Sequence, residues 1–204
     1  MARWIVAVAV GVALSACAQI PRPEDVALTS PPGMALPVKG RLMVYISDQD
    51  LARKFSYNIN PISKEETGIS DGQALDRAAR GVLGKAFAVV ATNDPGIRPD
   101  VVARITGKAV WDRDDGSFKV TCELDAHRAD GDAIGYFFSV IKSAPVMSFA
   151  EALPRVYAQC LKPPTEELMR SPAMAAMVRA GFPPLDPAAV RSYLRSQGFA
   201  MTGP

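Results

Sequence analysis

Val101-Val-Ala-Arg-Ile-Thr-Gly-Lys-Ala-Val-Trp-Asp-Arg-Asp-Asp-Gly-Ser-Phe-Lys-Val-Thr-Cys-Glu-Leu-Asp-Ala126 is the stretch whose reading decides the fold. Ala103, Ile105, Gly107, Ala109 and Trp111 alternate with Arg104, Thr106 and Lys108. Phe118, Val120, Cys122, Leu124 and Ala126 then alternate with Lys119, Thr121, Glu123 and Asp125. A period of two with one apolar face describes half-buried strands. Asp115-Gly116 between them is a favoured two-residue hairpin turn. That turn predicts Trp111 opposite Val120, Ala109 opposite Cys122 and Ile105 opposite Ala126. It also sets Lys108 beside Glu123 and Asp112 beside Lys119 as opposite-charge cross-strand pairs.

The chain turns again at Ala129-Asp130-Gly131. A three-residue loop with a left-handed Gly131 predicts Ile134 opposite Ala126, Tyr136 opposite Leu124 and Phe138 opposite Cys122. One apolar face then runs across three strands. In that register Phe137 and Ile141 project from the other side, where either another element covers them or they form a small docking patch.

Outward from this meander, Leu42 to Ile46 predicts an earlier strand. Asp48 to Ile69 reads as a long polar loop with room for a short strand at Phe55 to Ile59. Long loops in compact domains are uncommon and often functional, so a partner could bind there. Ser70 or Asp71 caps a helix whose face is Ala74, Leu75, Ala78, Ala79, Val82 and Leu83, and Ala86 to Ala91 follows as a strand. After Pro145, Ser148 opens a helix through Phe149, Leu153, Val156, Tyr157 and Cys160. Three short helices follow, punctuated by Thr165, by Ser171-Pro172 with Gly181, and by Asp186-Pro187 with Gly198. Met174, Met177 and Val178 could present an adaptable binding surface.

The first seventeen residues have a different logic. Arg3 supplies a positive start, Trp4 to Leu14 are uncharged and apolar, and small residues precede Cys17. This is the layout of a secretory signal, and the run is short of the ~20 apolar residues that span a bilayer. Leu14-Ser15-Ala16-Cys17 resembles the lipobox of bacterial lipoprotein precursors. That resemblance implies cleavage before Cys17, a diacylglycerol on its thiol and usually an acylated amino terminus. Two or more acyl chains anchor a protein stably. Ala18, where the family places aspartate for inner-membrane retention, implies the outer membrane, facing the periplasm. Residues 18–40 hold four separated proline sites and read as an extended tether.

Without the leader the chain carries 22 basic and 21 acidic side chains, since Arg3 is one of the 23 in the sequence of 204 residues. Near neutrality offers nothing for nucleic acid. Of three cysteines, Cys122 and Cys160 remain once Cys17 is lipidated. In an oxidising periplasm an even pair suggests one disulfide; two separate buried thiols are the other reading.

The chemistry-bearing residues are few. His127 is the single histidine, and it falls on the polar face of a strand beside a turn. Transition-metal sites need several His, Cys or carboxylate ligands. Asp112-Arg-Asp-Asp-Gly116 lacks the alternating ligands and closing glutamate of a Ca²⁺ loop. Phosphate-binding glycine loops and nucleophile elbows are missing. The expectation is a protein without catalytic residues, metal or cofactor.

Together these readings predict an α+β, two-layer sandwich: an antiparallel meander sheet with helices packed on one face and a helical C-terminal tail. Residues 1–16 form the signal peptide, 17–40 the lipidated tether, 41–162 the α+β domain and 163–204 a helical extension. In element order this is similar to small periplasmic domains of bacterial envelope lipoproteins, including auxiliary lipoproteins of lipid-transport ABC systems. The function expected is non-enzymatic binding of an envelope protein partner in assembly, transport or maintenance. A carrier of a lipid or small apolar ligand between helix and sheet is the alternative, and an enzyme with a carboxylate-based site the third.

Overall fold

A computed structural model describes residues 20–58, 66–112, 114–144 and 148–199. The signal segment 1–16 and Cys17 lie outside the described residues. The strands are β1 (Val38–Tyr45), β2 (Lys54–Asn58), β3 (Glu66–Ser70), β4 (Phe87–Thr92), β5 (Val101–Asp112), β6 (Ser117–Arg128) and β7 (Ala133–Lys142). The helices are α1 (Asp48–Ala52), α2 (Asp71–Leu83), α3 (Phe149–Arg170), α4 (Pro172–Arg179) and α5 (Pro187–Ser196). This is the expected α+β class.

The main sheet has the order β4-β1-β5-β6-β7, with β2 and β3 pairing as a separate ribbon. It is mixed rather than a simple antiparallel meander. Strands β5, β6 and β7 are antiparallel neighbours, but β1 runs parallel to both β4 and β5. The segment from β1 to β4 carries α2, the kind of crossover that parallel neighbours need. The chain then passes over the end of β1 at Asn93, whose side chain accepts from Ile46 N–H at 3.1 Å and donates to the Ile46 carbonyl at 2.7 Å. The loop expected between residues 48 and 69 holds α1 and the β2–β3 ribbon.

Both hairpin registers differ from expectation. Trp111 lies opposite Phe118, Ala109 opposite Val120, Gly107 opposite Cys122 and Ile105 opposite Leu124. The connection is longer than two residues because its aspartates bond locally. Asp112 Oδ1 accepts from Asp114 N–H, Asp115 Oδ1 accepts from Ser117, and Gly116 is left-handed at φ 70°. A shift of two keeps every side chain on its expected face. The expected Lys108–Glu123 and Asp112–Lys119 pairs are replaced: Thr106 donates to Glu123 at 3.0 Å, and Lys142 Nζ reaches Asp112 at 3.1 Å and Asp115 at 2.6 Å.

At the second turn Gly131 is left-handed as expected, at φ 102°. A register shift between Ala126 and His127 then adds one residue, so Leu124 faces Phe137, Cys122 faces Ser139 and Val120 faces Ile141. A shift of one exchanges the two faces of β7.

Helices α2 and α3 cover one face, where Leu75, Leu83, Phe118, Leu124, Tyr157 and Leu161 are fully buried. Cys122 and Cys160 form a disulfide with a Cα–Cα distance of 5.9 Å, joining β6 to α3. Helix α5 lies on the opposite face, its Leu194 buried with Met43, Val102 and Ala129. The helices therefore do not all share one face.

Two expected boundaries change. Helix α3 runs unbroken through Pro154, Pro163 and Pro164, and Leu168, Met169 and Met174 belong to the main core, so no division falls at residue 162. The proline-rich segment is no free tether from Ile20 onward. Pro23 and Val26 are buried, Arg155 donates to the Ile20 carbonyl at 3.1 Å, and Thr29 N–H donates to Glu166 at 2.8 Å. Prolines forbid regular elements without forbidding packing.

Candidate functional site

The exchange of faces on β7 decides where the exposed apolar surface lies. Phe137 and Ile141, the possible docking patch, are instead covered, partly buried against the main core. Tyr136, Phe138 and Val140 stand instead on the outer face, with 58%, 63% and 51% of their surfaces exposed. The first two rings stack with centroids 6.5 Å apart. The pairing places Asp125, Glu123 and Thr121 on β6 opposite Tyr136, Phe138 and Val140. Beyond these lie Arg104, Thr106 and Lys108 on β5. Desolvation by its neighbours, with Glu123 next to it, pushes the Tyr136 hydroxyl above the ordinary tyrosine range. The result is an apolar strip along the sheet margin beside a polar, mixed-charge field.

This strip is also the edge of the main sheet, because β7 is the last strand in the order. Ser143 N–H donates to the Phe118 carbonyl at 2.8 Å, which sets the parity of the ladder. Backbone groups of Phe137, Ser139 and Ile141 turn toward β6, and those of Tyr136, Phe138 and Val140 turn outward. No described residue pairs with that outer edge. The sequence signal for the strip was present, since both parities of β7 are apolar. Alternation alone could not choose between them.

The other candidates resolve into structure. His127 Nε2 lies 3.1 Å from Asp125 Oδ1, its Nδ1 lies 3.3 Å from the Gly131 carbonyl, and its ring packs on Tyr193 of α5. Lys142 neutralises the aspartates of the first turn. It lowers the Asp115 pKa by hydrogen bonding while its own is raised. Met174 is buried, and Met177 and Val178 pack on the core. The place where a carrier would hold its ligand, between α2, α3 and the sheet, is where the described buried apolar residues form one cluster. An open groove of about 200 Å³ lies elsewhere, walled by Met177, Phe182 and Leu185 with Asp100 and Arg128 at its rim. Both charges are already paired, Asp100 with Arg41 at 3.1 Å and Arg128 with Asp130 at 2.7 Å. Among the described residues, no helix is long and apolar enough to cross a membrane.

No family model matches the chain, and no curated protein does. Its fold has a distant likeness to a crystal structure from Xanthomonas campestris described by the family model DUF330. The TM-score is 0.40 and the identity 21%, over 71% of this chain and 89% of that one. At that distance the likeness carries no argument about activity.

Proposed function

We propose that the protein is a non-enzymatic lipoprotein of the bacterial cell envelope, anchored in the outer membrane through acylated Cys17, that binds another envelope protein through the outer face of β5–β7. The observation that carries the binding reading is the strip Tyr136, Phe138 and Val140, exposed on a sheet edge that no described residue pairs. Contiguous exposed apolar surface rimmed by polar groups marks interaction sites.

The anchor and the strip are arranged compatibly. Ile20 is held against the helix layer by Arg155, and only Ala18 and Gln19 separate it from Cys17. Three residue steps span at most about 10 Å. An acylated Cys17 would therefore bring the helix side toward the bilayer, leaving the outer sheet face turned to the periplasm.

Two arms test this reading. Cys17→Ala is expected to abolish acyl labelling and release the protein from membranes; a variant that stays labelled and bound would end the lipoprotein reading. A photocrosslinking residue at Phe138 is expected to trap one recurring envelope protein, where the same residue at Arg77 on α2 traps none. Equal, diffuse labelling at both positions would end the docking reading.

A further inference from the structure

Among the described residues, the edge of β7 is unusual in lacking protection. Sheet edges are normally blunted by charged side chains, proline or shortness. From Ala133 to Ile141 the sequence has no charged residue and no proline, and the strand is ten residues long. Lys142 closes it and is engaged with Asp112 and Asp115.

The strand is also complementary to itself. Its outward-turned backbone groups belong to Tyr136, Phe138 and Val140, the same residues whose side chains form the strip. An antiparallel copy related by a two-fold axis at Phe138 sets Phe138 opposite Phe138, and Tyr136 opposite Val140 on both sides. All three exposed apolar side chains then face apolar side chains. Lys142 falls opposite Ile134, so no like charges meet. Three hydrogen-bonded pairs exchange about six backbone bonds. Phe149, which opens α3, packs on Trp111 and Phe118, away from the β7 edge.

We propose that the occupant of the β7 edge is a second copy of this chain, joined by two-fold antiparallel β7–β7 pairing into one continuous ten-stranded sheet. The pairing lies in the plane of the sheet, so the strip side chains stay on the outer face. This deepens the docking reading and rests on it for the surface's purpose. One copy's strip offers on the order of 300 Å² from its exposed rings and Val140, short of the ~800 Å² that a standard interface covers on each partner. Two joined strips double it to about 600 Å², nearer that size.

The full-length protein in detergent tests the pairing. For a hydrogen-bonded antiparallel pair the Cα separation is about 5.5 Å, within disulfide reach. Phe138→Cys, lying on the axis, is expected to form an intermolecular disulfide at least ten-fold more than Val89→Cys, which is exposed on the opposite edge strand. The unsubstituted chain gives the background. Phe138→Lys is expected to shift the sedimenting species from dimer to monomer while its circular dichroism at low temperature is unchanged, since the side chain is exposed, and Val140→Lys should do the same. A wild-type chain that sediments as a monomer at its highest soluble concentration would overturn the proposal, as would equal cross-linking at Phe138 and Val89. Purified protein contains no envelope partner, so the dimer can fail while photocrosslinking at Phe138 still traps one. The dimer can equally stand while that arm fails.

Discussion

The Ser139 hydroxyl of β7 donates to the Cys160 carbonyl of α3 at 2.5 Å. In an unbroken helix that carbonyl would accept from the backbone N–H four residues on. Here the fourth residue is Pro164, which has none. A sheet residue thus supplies the bond that the helix sequence withholds. Thr165, just after the prolines, adds a side-chain bond of its own, its hydroxyl donating to the Leu161 carbonyl at 2.8 Å.

Ser139→Ala should therefore cost about 1–2 kcal/mol, the range for a hydrogen bond whose buried acceptor is left unpaired. Pro164→Ala restores a backbone donor to the same carbonyl. In that background the cost of Ser139→Ala should fall by at least half. Denaturant unfolding of the two single variants and the double variant measures this coupling. Strictly additive costs would show that Ser139 does not stand in for the missing N–H.

A second linkage ties the insertion after β1 to both covering helices. Arg53 donates to Asp71 through Nε at 2.5 Å, to Asp50 through Nη1 at 2.7 Å and to the Gly107 carbonyl through Nη2. Tyr157 donates its hydroxyl to the other oxygen of Asp71 at 2.7 Å. Burial, reinforced by the Asp71 carboxylate, pushes the Tyr157 hydroxyl far above the ordinary tyrosine range. Asp71 is 3% exposed, so these donors take the place of water around its carboxylate. Tyr157→Phe should cost about 1–3 kcal/mol, and Arg53→Met about 3–5 kcal/mol by leaving a buried charge unpaired. The double variant Arg53→Met, Asp71→Leu should recover much of the second loss. Thermal and denaturant unfolding would decide it; a double variant no better than Arg53→Met alone would refute the charge argument.

The alternation of β5 and β6 was legible because one face is buried and a period of two admits no other reading. The two-residue error in their register was invisible to that pattern, which repeats every two residues. It arose from aspartate side chains bonding their own turn. On β7 the pattern was ambiguous. Tyr136, Phe138 and Val140 on one parity compete with Phe137 and Ile141 on the other, and a bulge beside His127 decided between them. The bulge leaves no hydrophobic signature, so alternation alone puts the exposed strip on the wrong side of the right strand. Pro163 and Pro164 suggested a helix end because the compensating Ser139 is distant in sequence. The capped starts at Ser171 and Asp186 were readable for the opposite reason: each side chain accepts from a backbone N–H two or three residues ahead.

The outer face of β1 and β5 is closed by α5, and that closure should respond to alkaline pH. Tyr193 of α5 packs its ring 5.6 Å from that of His127. Burial and the nearby Asp125 carboxylate push its hydroxyl up to about 12. The unfolded value is about 10, so the neutral form is the one the fold favours. A raised pKa contributes stability that is fully present below pH 10 and is lost as pH rises toward 12. Subtracting the tyrosinate absorbance titration of Tyr193→Phe from that of the wild type should isolate one tyrosine ionising near 12. Over the same range limited proteolysis should begin to cut between α4 and α5 in the wild type. In Tyr193→Phe that onset should lose its dependence on pH between 10 and 12. If the difference titration centres near 10, Tyr193 is not held against the sheet, and the second core around Leu194 would have to be anchored by Leu194 and Val190 without it.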